Sequence, residues 1–253
     1  MSTSGPGLLD RALTVLGSFS EEEPTLTAAE LCERTGLAPS TMHRLIATMI
    51  GQGLLVRVPG HRYAVGSRLW ELGELSPISL RLREQALPHL MRLYEATGEN
   101  VHLAVLDGVQ PETSSALYVD RITGRHSFPT VSRKGWRGPL HATGVGKALL
   151  ASRDEEWLRR YFEAPRSRET TKTITDEAEL REELERVRAR GYATTREEMT
   201  LGNVSVAASL PDVAGLPPVA VGLVVRLETV DERRLSAIVM QTAREIHATI
   251  RTG

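Results

Sequence analysis

Thr41, His43 and Arg44 crowd together just after Pro39-Ser40, and Thr48 follows at helical spacing. Hydroxyl, imidazole and guanidinium groups grouped this way can hydrogen-bond base edges and phosphate oxygens. Arginines recur at 34, 44, 57, 62 and 68, and the stretch they span contains no Asp or Glu. The whole chain carries a formal net charge of −1, so this is local focusing of positive charge. A patch of this kind attracts a phosphate backbone. Ser40, Thr41, His43, Arg44 and Thr48 are therefore candidate DNA contacts, joined by Arg57, His61 and Arg62 further on. Arg57 and Arg62 are expected on phosphates and His61 near the minor groove. The alternative for the second group is an arginine held by its own domain.

Other constellations point to less. His141 with Ser205 has the residue types of a base and a nucleophile, but no motif places an orienting acid beside them. His102, His141 and Glu198 match no metal-ligand spacing. Gly144-x-Gly146-Lys147 lacks the preceding glycine and the following hydroxyl of a phosphate loop, and reads as a helix start. The single cysteine, Cys32, lies beside Ala28 and Leu31 and reads as a small core residue. No metal, no cofactor and no catalytic residue is expected from these patterns.

The elements that must position the first group are legible. Leu9, Ala12, Leu13, Leu16 and Phe19 share one face of a helix over 8–19. Glu21-Glu-Glu-Pro24 reads as a solvated connection. Thr27-Ala-Ala-Glu30 has the form of a capping box at a second helix start, and Gly36 suits its end. Ser40 is the expected cap of a third helix, with Met42, Leu45, Ile46, Met49 and Ile50 on its apolar face. Two short helices across a tight turn make a helix-turn-helix. Leu54–Val58 and Arg62–Val65, separated by Pro59-Gly60-His61, form a hairpin wing. Up to Leu75 this region has six arginines against eight acidic residues. Its DNA binding must then depend on placement and on two copies more than on bulk charge.

The chain of 253 residues is 41% hydrophobic, enough for two domains with cores. Residues 1–7 are expected to lack regular structure. No apolar run approaches a membrane span, and no signal-peptide core is present, which with one cysteine fits a cytoplasmic location. Ser67 is placed to cap a short helix to Leu75. A longer helix over 78–97 is expected to connect the domains, bent or divided at Pro88. Beyond it, strands at 101–106, 116–122, 191–194, 204–210 and 219–226 alternate with helices after Gly144, at 155–162, at 176–190 and at 231–251. That pattern predicts an α+β domain with an antiparallel or mixed sheet.

At this point the chain resembles the isocitrate lyase regulator (IclR) family of bacterial transcription factors. The likeness rests on Thr35-Gly-Leu-Ala-Pro-Ser-Thr-Met-His-Arg-Leu45 and Tyr63-Ala-Val-Gly66. In the second half it rests on Thr97-Gly-Glu-Asn-Val-His-Leu103, on Pro139-Leu-His-Ala-Thr-Gly-Val-Gly-Lys-Ala-Leu-Leu-Ala151, on Lys172-Thr-Ile-Thr175, on Val187-Arg-Ala-Arg-Gly-Tyr192 and on Arg196-Glu-Glu198. The resemblance implies a winged helix-turn-helix at 1–75, a linker helix at 76–97 and a GAF-like effector-binding and oligomerisation domain at 98–253. It also implies homodimers or dimers of dimers.

It further implies an effector pocket using Gly138, Leu140, Gly144, Val145, Thr195, Ser205, Leu223 and Val225, with a carboxylate on the helix start at Gly144. This chain departs from the family where Thr195 replaces a common Asp and Ser205 a common Cys. Gly138 replaces a larger residue, and Val221-Gly-Leu-Val-Val225 replaces a Ser-rich strand. The expectation is a less charged pocket, with Thr195 at its rim and Val221, Leu223 and Val225 against a hydrocarbon or aromatic body. The duller alternative makes those strand residues plain core. The resulting reading is a DNA-binding regulator, taken as a repressor, of a catabolic or metabolic operon under a small carboxylate-bearing effector. The alternative reading is a hydrolase or transferase with its active site in the C-terminal domain.

Overall fold

The computed structural model describes residues 7–124 and 132–252, so the expectation for residues 1–6 lies outside it. The chain divides into two compact units, Met1–Ser76 and Pro77–Gly253. Of the linker expected at 76–97, Ser76 is counted in the first unit and the rest in the second.

The first unit contains α1 (Leu8–Leu16), β1 (Thr25–Thr27), α2 (Ala28–Thr35), α3 (Pro39–Gly51), β2 (Leu55–Val58), β3 (Arg62–Val65) and α4 (Ser67–Glu74). Helix α2 opens on the capping box: the Glu30 N–H donates to Thr27 Oγ1 at 3.2 Å, and the Thr27 N–H to Glu30 Oε2 at 2.7 Å. It closes on Gly36 in the left-handed conformation. Helix α3 starts one residue before Ser40. Ala38 is its cap and Pro39 its first residue, where a fixed φ and a missing N–H cost nothing. Ser67 likewise falls inside α4, whose cap is Gly66.

Met42, Leu45, Ile46 and Met49 of α3 close a core with Val15, Leu26, Leu31, Leu55 and Tyr63. Leu26 belongs to β1, a strand the sequence reading missed. Three residues are too few to show a period, yet pairing Leu26 with Tyr63 makes the wing three-stranded, in the order β1-β3-β2.

The second unit begins with π-helical winding at Ile78–Arg83, then α5 (Glu84–Thr97). Pro88 does not divide α5; the irregularity lies upstream, in the wider turn. A proline so near the helix start removes few ladder bonds. There follow β4 (Asn100–Asp107), β5 (Ser115–Ile122), β6 (Arg137–Gly138), α6 (Gly144–Ala151), α7 (Glu155–Tyr161), α8 (Glu177–Arg190), β7 (Ala193–Arg196), β8 (Asn203–Ser209), β9 (Val219–Arg226) and α9 (Glu232–Thr252). The strands form one sheet in the order β6-β5-β4-β9-β8-β7, and each neighbouring pair is antiparallel.

Side chains alternate across this sheet. Val101, Leu103, Val105, Val221, Leu223 and Val225 share a core with residues of α5 and α9. Ala104, Ala116, Tyr118, Ala207 and Ala220 share another with α6, α7 and α8. Burial on both faces explains the unbroken apolar run of β9.

In the first unit, the Gly66 N–H donates to Leu54 O at 2.9 Å, and a Cβ on Gly66 would stand 2.1 Å from Gly53 O. Backbone cannot yield as a flexible side chain does. Gly66→Ala is expected to destabilise this unit by about 1–3 kcal/mol, the range for overpacking, measured by chemical denaturation against Gly73→Ala, whose Cβ meets nothing within 4 Å.

Candidate nucleic-acid interface and ligand cavity

Helix α3 buries its apolar stripe, which turns Ser40, His43, Arg44 and Thr48 outward, with Thr41 half-buried beside them. Arg57 and His61 are exposed on the wing. His61 sits at the hairpin turn with φ 56, next to Gly60 at φ 78. Arg62 behaves differently. Its Nε donates to Thr25 Oγ1 at 2.9 Å and its Nη2 to Thr25 O at 2.6 Å, and it lies 3.3 Å from Glu30. These bonds tie β3 to β1 and to the capping box, as in the alternative of an arginine held by its own domain. Arg34 is similarly held by Ser18 O and Glu23, and Arg68 by Glu71 at 2.9 Å. Among the described residues, Arg44 and Arg57 carry no ion pair; Arg57 instead lies over the Tyr63 ring at 5.8 Å. Arg11, which the sequence reading did not single out, shares a surface recess with Thr41, Arg44 and Thr48. Only folding α1 against α3 shows that neighbourhood.

In the second unit, a small cleft, partly open to solvent, lies between the start of α6 and the sheet. The Gly146 N–H donates to Thr143 Oγ1 at 3.2 Å and the Lys147 N–H to Thr143 O at 2.9 Å. The first-turn N–H groups of Gly144 and Val145 have no partner within the helix, and both residues line the cleft. Ser205 lies directly against this helix start, since a Cβ on Gly144 would be 1.9 Å from Ser205 Oγ. Thr195 donates to Ser205 Oγ at 3.2 Å. Thr195 is buried, so it belongs to the floor and not to the rim.

Aromatic groups form the opposite wall. Tyr118 makes an edge contact with His102, with centroids 5.2 Å apart, and a tilted one with Trp136 at 5.0 Å. Burial, with a smaller push from Arg121, lowers the His102 pKa to about 3, so this imidazole is neutral and shares a 2.9 Å hydrogen bond with Ser132. Burial also raises the Tyr118 phenol. None of the described lining residues is Asp, Glu, Lys or Arg.

Of the eight residues expected here, Gly144, Val145, Thr195, Ser205 and Leu223 line the cleft, whereas Gly138, Leu140 and Val225 do not. A Cβ on Gly138 would meet the Trp136 ring at 2.7 Å, so Trp136 takes that space. Leu140 belongs to the core under α6, and the Val221, Leu223 and Val225 side chains to the core under α5 and α9. The even-numbered Gly222 and Val224 take the lining role on β9. Strand alternation carried this signal, because His102 and Ala207 both pair with Gly222.

The remaining candidates have structural partners. His141 Nε2 bonds Ser167 O at 2.7 Å and its Nδ1 lies 3.3 Å from the Tyr161 hydroxyl; it does not meet Ser205. Lys147 Nζ donates to Glu198 Oε1 at 2.7 Å, both groups being buried. Burial raises the Glu198 carboxyl while Lys147 opposes it. Among the described residues no group of His, Cys, Asp or Glu is arranged to hold a metal.

A family model described as the IclR helix-turn-helix domain matches residues 8–59, and one described as bacterial transcriptional regulator IclR C-terminal matches residues 78–248. The chain belongs to the IclR family. It is 34% identical over 249 residues to the HTH-type transcriptional regulator BhcR of Paracoccus denitrificans, covering 96% of this chain and 87% of that protein. It is 31% identical over 244 residues to the transcriptional repressor IclR of Escherichia coli, covering 94% and 88%. The crystal structure of an IclR homolog complexed with 4-hydroxybenzoate from Microbacterium hydrocarbonoxydans matches with a TM-score of 0.89 at 28% identity, over 98% of this chain and 100% of that one. This IclR-family protein is a DNA-binding transcriptional regulator with an α+β effector domain, which sets aside the hydrolase or transferase alternative. No helix among the described residues is long and apolar enough to cross a membrane.

Two outcomes are expected. Arg44→Ala should weaken operator binding and lower the salt slope by about one, whereas Arg62→Ala should lower domain stability by about 1–3 kcal/mol and leave the slope unchanged; filter binding across salt concentrations and urea denaturation separate the two. The second concerns His102. Its folded pKa lies below the ordinary 6.5, so the unfolded chain takes up a proton that the folded chain refuses. The stability involved is present above pH 6.5 and is lost as pH falls toward 3. Relative to His102→Gln, wild type should lose about 2 kcal/mol of unfolding free energy between pH 7 and pH 5.

Proposed function

We propose that this regulator represses a catabolic or metabolic operon from the cytoplasm, and that a small organic acid in the α6 cleft controls it. Residues 1–75 carry DNA recognition. Ser40, Thr41, His43, Arg44 and Thr48 approach the major groove, as the second helix of this motif does. Arg57 and His61 approach the backbone and minor groove from the wing, and Arg11 supplies a further phosphate contact beside Arg44.

A single winged helix without net positive charge binds DNA weakly, so a homodimer or dimer of dimers is part of the proposal. Exposed apolar residues support it: Leu8, Leu9 and Leu13 on α1, and Trp70 and Leu75 on or beside α4, are all more than half exposed. Buried in a symmetric contact, they would contribute about 1.5–3 kcal/mol each.

The observation that carries the effector reading is the open start of α6 in a cleft whose described lining has no charged side chain. Two N–H groups at the positive end of a helix favour an anionic head. The absence of a lining carboxylate leaves that head unopposed, and the Tyr118–Trp136 wall suits a flat apolar body. The ligand-bound relative, whose ligand is an aromatic acid, supports the same class. An acid seated there can regulate only by binding one arrangement of the chain more tightly than another.

The test combines calorimetry and operator binding on wild type and Gly144→Ala, whose Cβ would displace Ser205 from the helix start. Aromatic carboxylates are expected to bind wild type and shift its operator affinity, and to bind the variant at least about tenfold more weakly, as for loss of a charge-assisted contact. Equal binding by the variant, or no acid binding at all, would reject the effector assignment.

A further inference from the structure

We propose that Asp120 is a positioning residue that ties the wall of this cleft to the π-helical winding at Ile78–Arg83, so that a ligand in the cleft acts on the chain where it enters the effector domain. The inference rests on the reading of the cleft as the effector site, and it adds the route by which occupancy is felt outside that site.

Asp120 belongs to β5, two residues after Tyr118 of the cleft wall. In a regular strand the two side chains would share one face. Here the pairing with β4 slips by one residue, so that Ala104 pairs with Tyr118 and Leu103 with Asp120. Val119 is the extra residue of a bulge, and bulges re-aim the side chains beside them. Ala104 lies in the core under α6, and Leu103 in the core under α5 and α9. Tyr118 therefore follows Ala104 to the cleft side, while Asp120 follows Leu103 to the side of the winding.

The Asp120 carboxylate is 4% exposed and faces two cations and one N–H. Its Oδ1 lies 2.6 Å from Lys134 Nζ and accepts from the Arg121 N–H at 2.8 Å, and its Oδ2 lies 3.6 Å from Arg83 Nε. Lys134 sits in a turn that ends at Trp136. The Trp136 N–H donates to Arg133 O at 3.1 Å, and Gly135 takes the positive φ, 80, that the third position of such a turn favours. The Gly135 N–H donates in turn to Tyr118 O at 2.8 Å. Ser132 and Trp136 both line the cleft, so a ligand that displaces this wall displaces Lys134 with it.

Arg83 closes a winding that follows directly on the boundary between the two units. Windings of this type are rare and cluster at functional positions. A carboxylate this buried is costly without its cations, so a shift of Lys134 carries Asp120, and Asp120 carries Arg83. A ligand that favours one placement of Lys134 thereby favours one placement of the winding.

The experiment is hydrogen exchange read by mass spectrometry on the full ligand-free chain, with urea denaturation to check that each variant is folded. Lys134→Gln should speed amide exchange across residues 78–83 at least about threefold, and Arg83→Gln should do the same across residues 132–136. In Asp120→Asn both segments should exchange faster, and adding Lys134→Gln should change residues 78–83 no further. Changes confined to the mutated segment, or a Lys134 effect that persists without the Asp120 carboxylate, overturn the proposal. A second arm measures benzoate binding by calorimetry and operator binding with and without benzoate. Arg83→Gln should keep benzoate affinity within about threefold and lose most of the operator shift; an undiminished shift also overturns the role of Asp120. If benzoate neither binds wild type nor shifts its operator affinity, the effector reading falls and the exchange result alone decides Asp120.

Discussion

The approach of α6 to the sheet governs the effector domain. Ala104, Ala207, Ala220 and Gly222 lie beneath this helix, and a Cβ on Gly146 would stand only 2.3 Å from Leu140 O. A Cβ on Gly222 would be 2.8 Å from Ala207 Cβ and 3.2 Å from Val145 Cγ1. Main chains meet at near-minimal distance because the side chains between them are small. The start of α6 therefore opens onto the cleft floor, beside Ser205. The same closeness seals Lys147 in the interior, where an ammonium is tolerable only with a partner. Glu198 is that partner, and Thr173 Oγ1 in turn donates to its main-chain oxygen at 2.7 Å. One buried ion pair thus fixes the loop after β7, which ends at Asn203.

The electrostatics of the cleft follow from that packing. Its polarity comes from dipoles: two N–H groups of a helix start, the Thr195–Ser205 hydroxyl pair and a neutral imidazole bonded to Ser132. Where neighbouring groups are buried, fixed dipoles act more strongly than they do at a surface. Thr195 and Ser205 keep the floor polar without charge. Specificity in such a site depends on hydrogen-bond matching more than on net charge.

The winged helix commits several of its arginines to its own structure. Arg34, Arg62 and Arg68 are spent on partners within the unit, with Thr25, Glu23, Glu30 and Glu71 among them. Arg44 and Arg57 stay exposed without an ion pair among the described residues, and Arg11 shares a surface recess with Arg44. The acidic residues that make the domain net negative therefore do not all oppose DNA. Several serve to orient arginines that hold the wing to the helices.

Sequence periodicity and capping chemistry sufficed for the two-domain plan, the helix-turn-helix and the strand-helix alternation of the second half. The Thr27–Glu30 box, Gly36 and the stripe from Met42 to Met49 are local features, encoded within a few residues of where they act. They failed at the caps, where Ala38 and Gly66 stand in place of Ser40 and Ser67, at Pro88, which does not divide α5, and at the three-residue β1. What tertiary structure alone decided was direction and company. The sense of alternation in β9 placed Gly222 and Val224, in place of Val221 and Val225, on the cleft. Pairing of β3 with β1 brought Arg62 onto Thr25. Contact between strands distant in the chain brought His102, Tyr118 and Asn203 to the helix start at Gly144. These assignments depend on which face of a doubly buried sheet meets which helix. An apolar run packed on both sides carries no polar alternation to mark that choice.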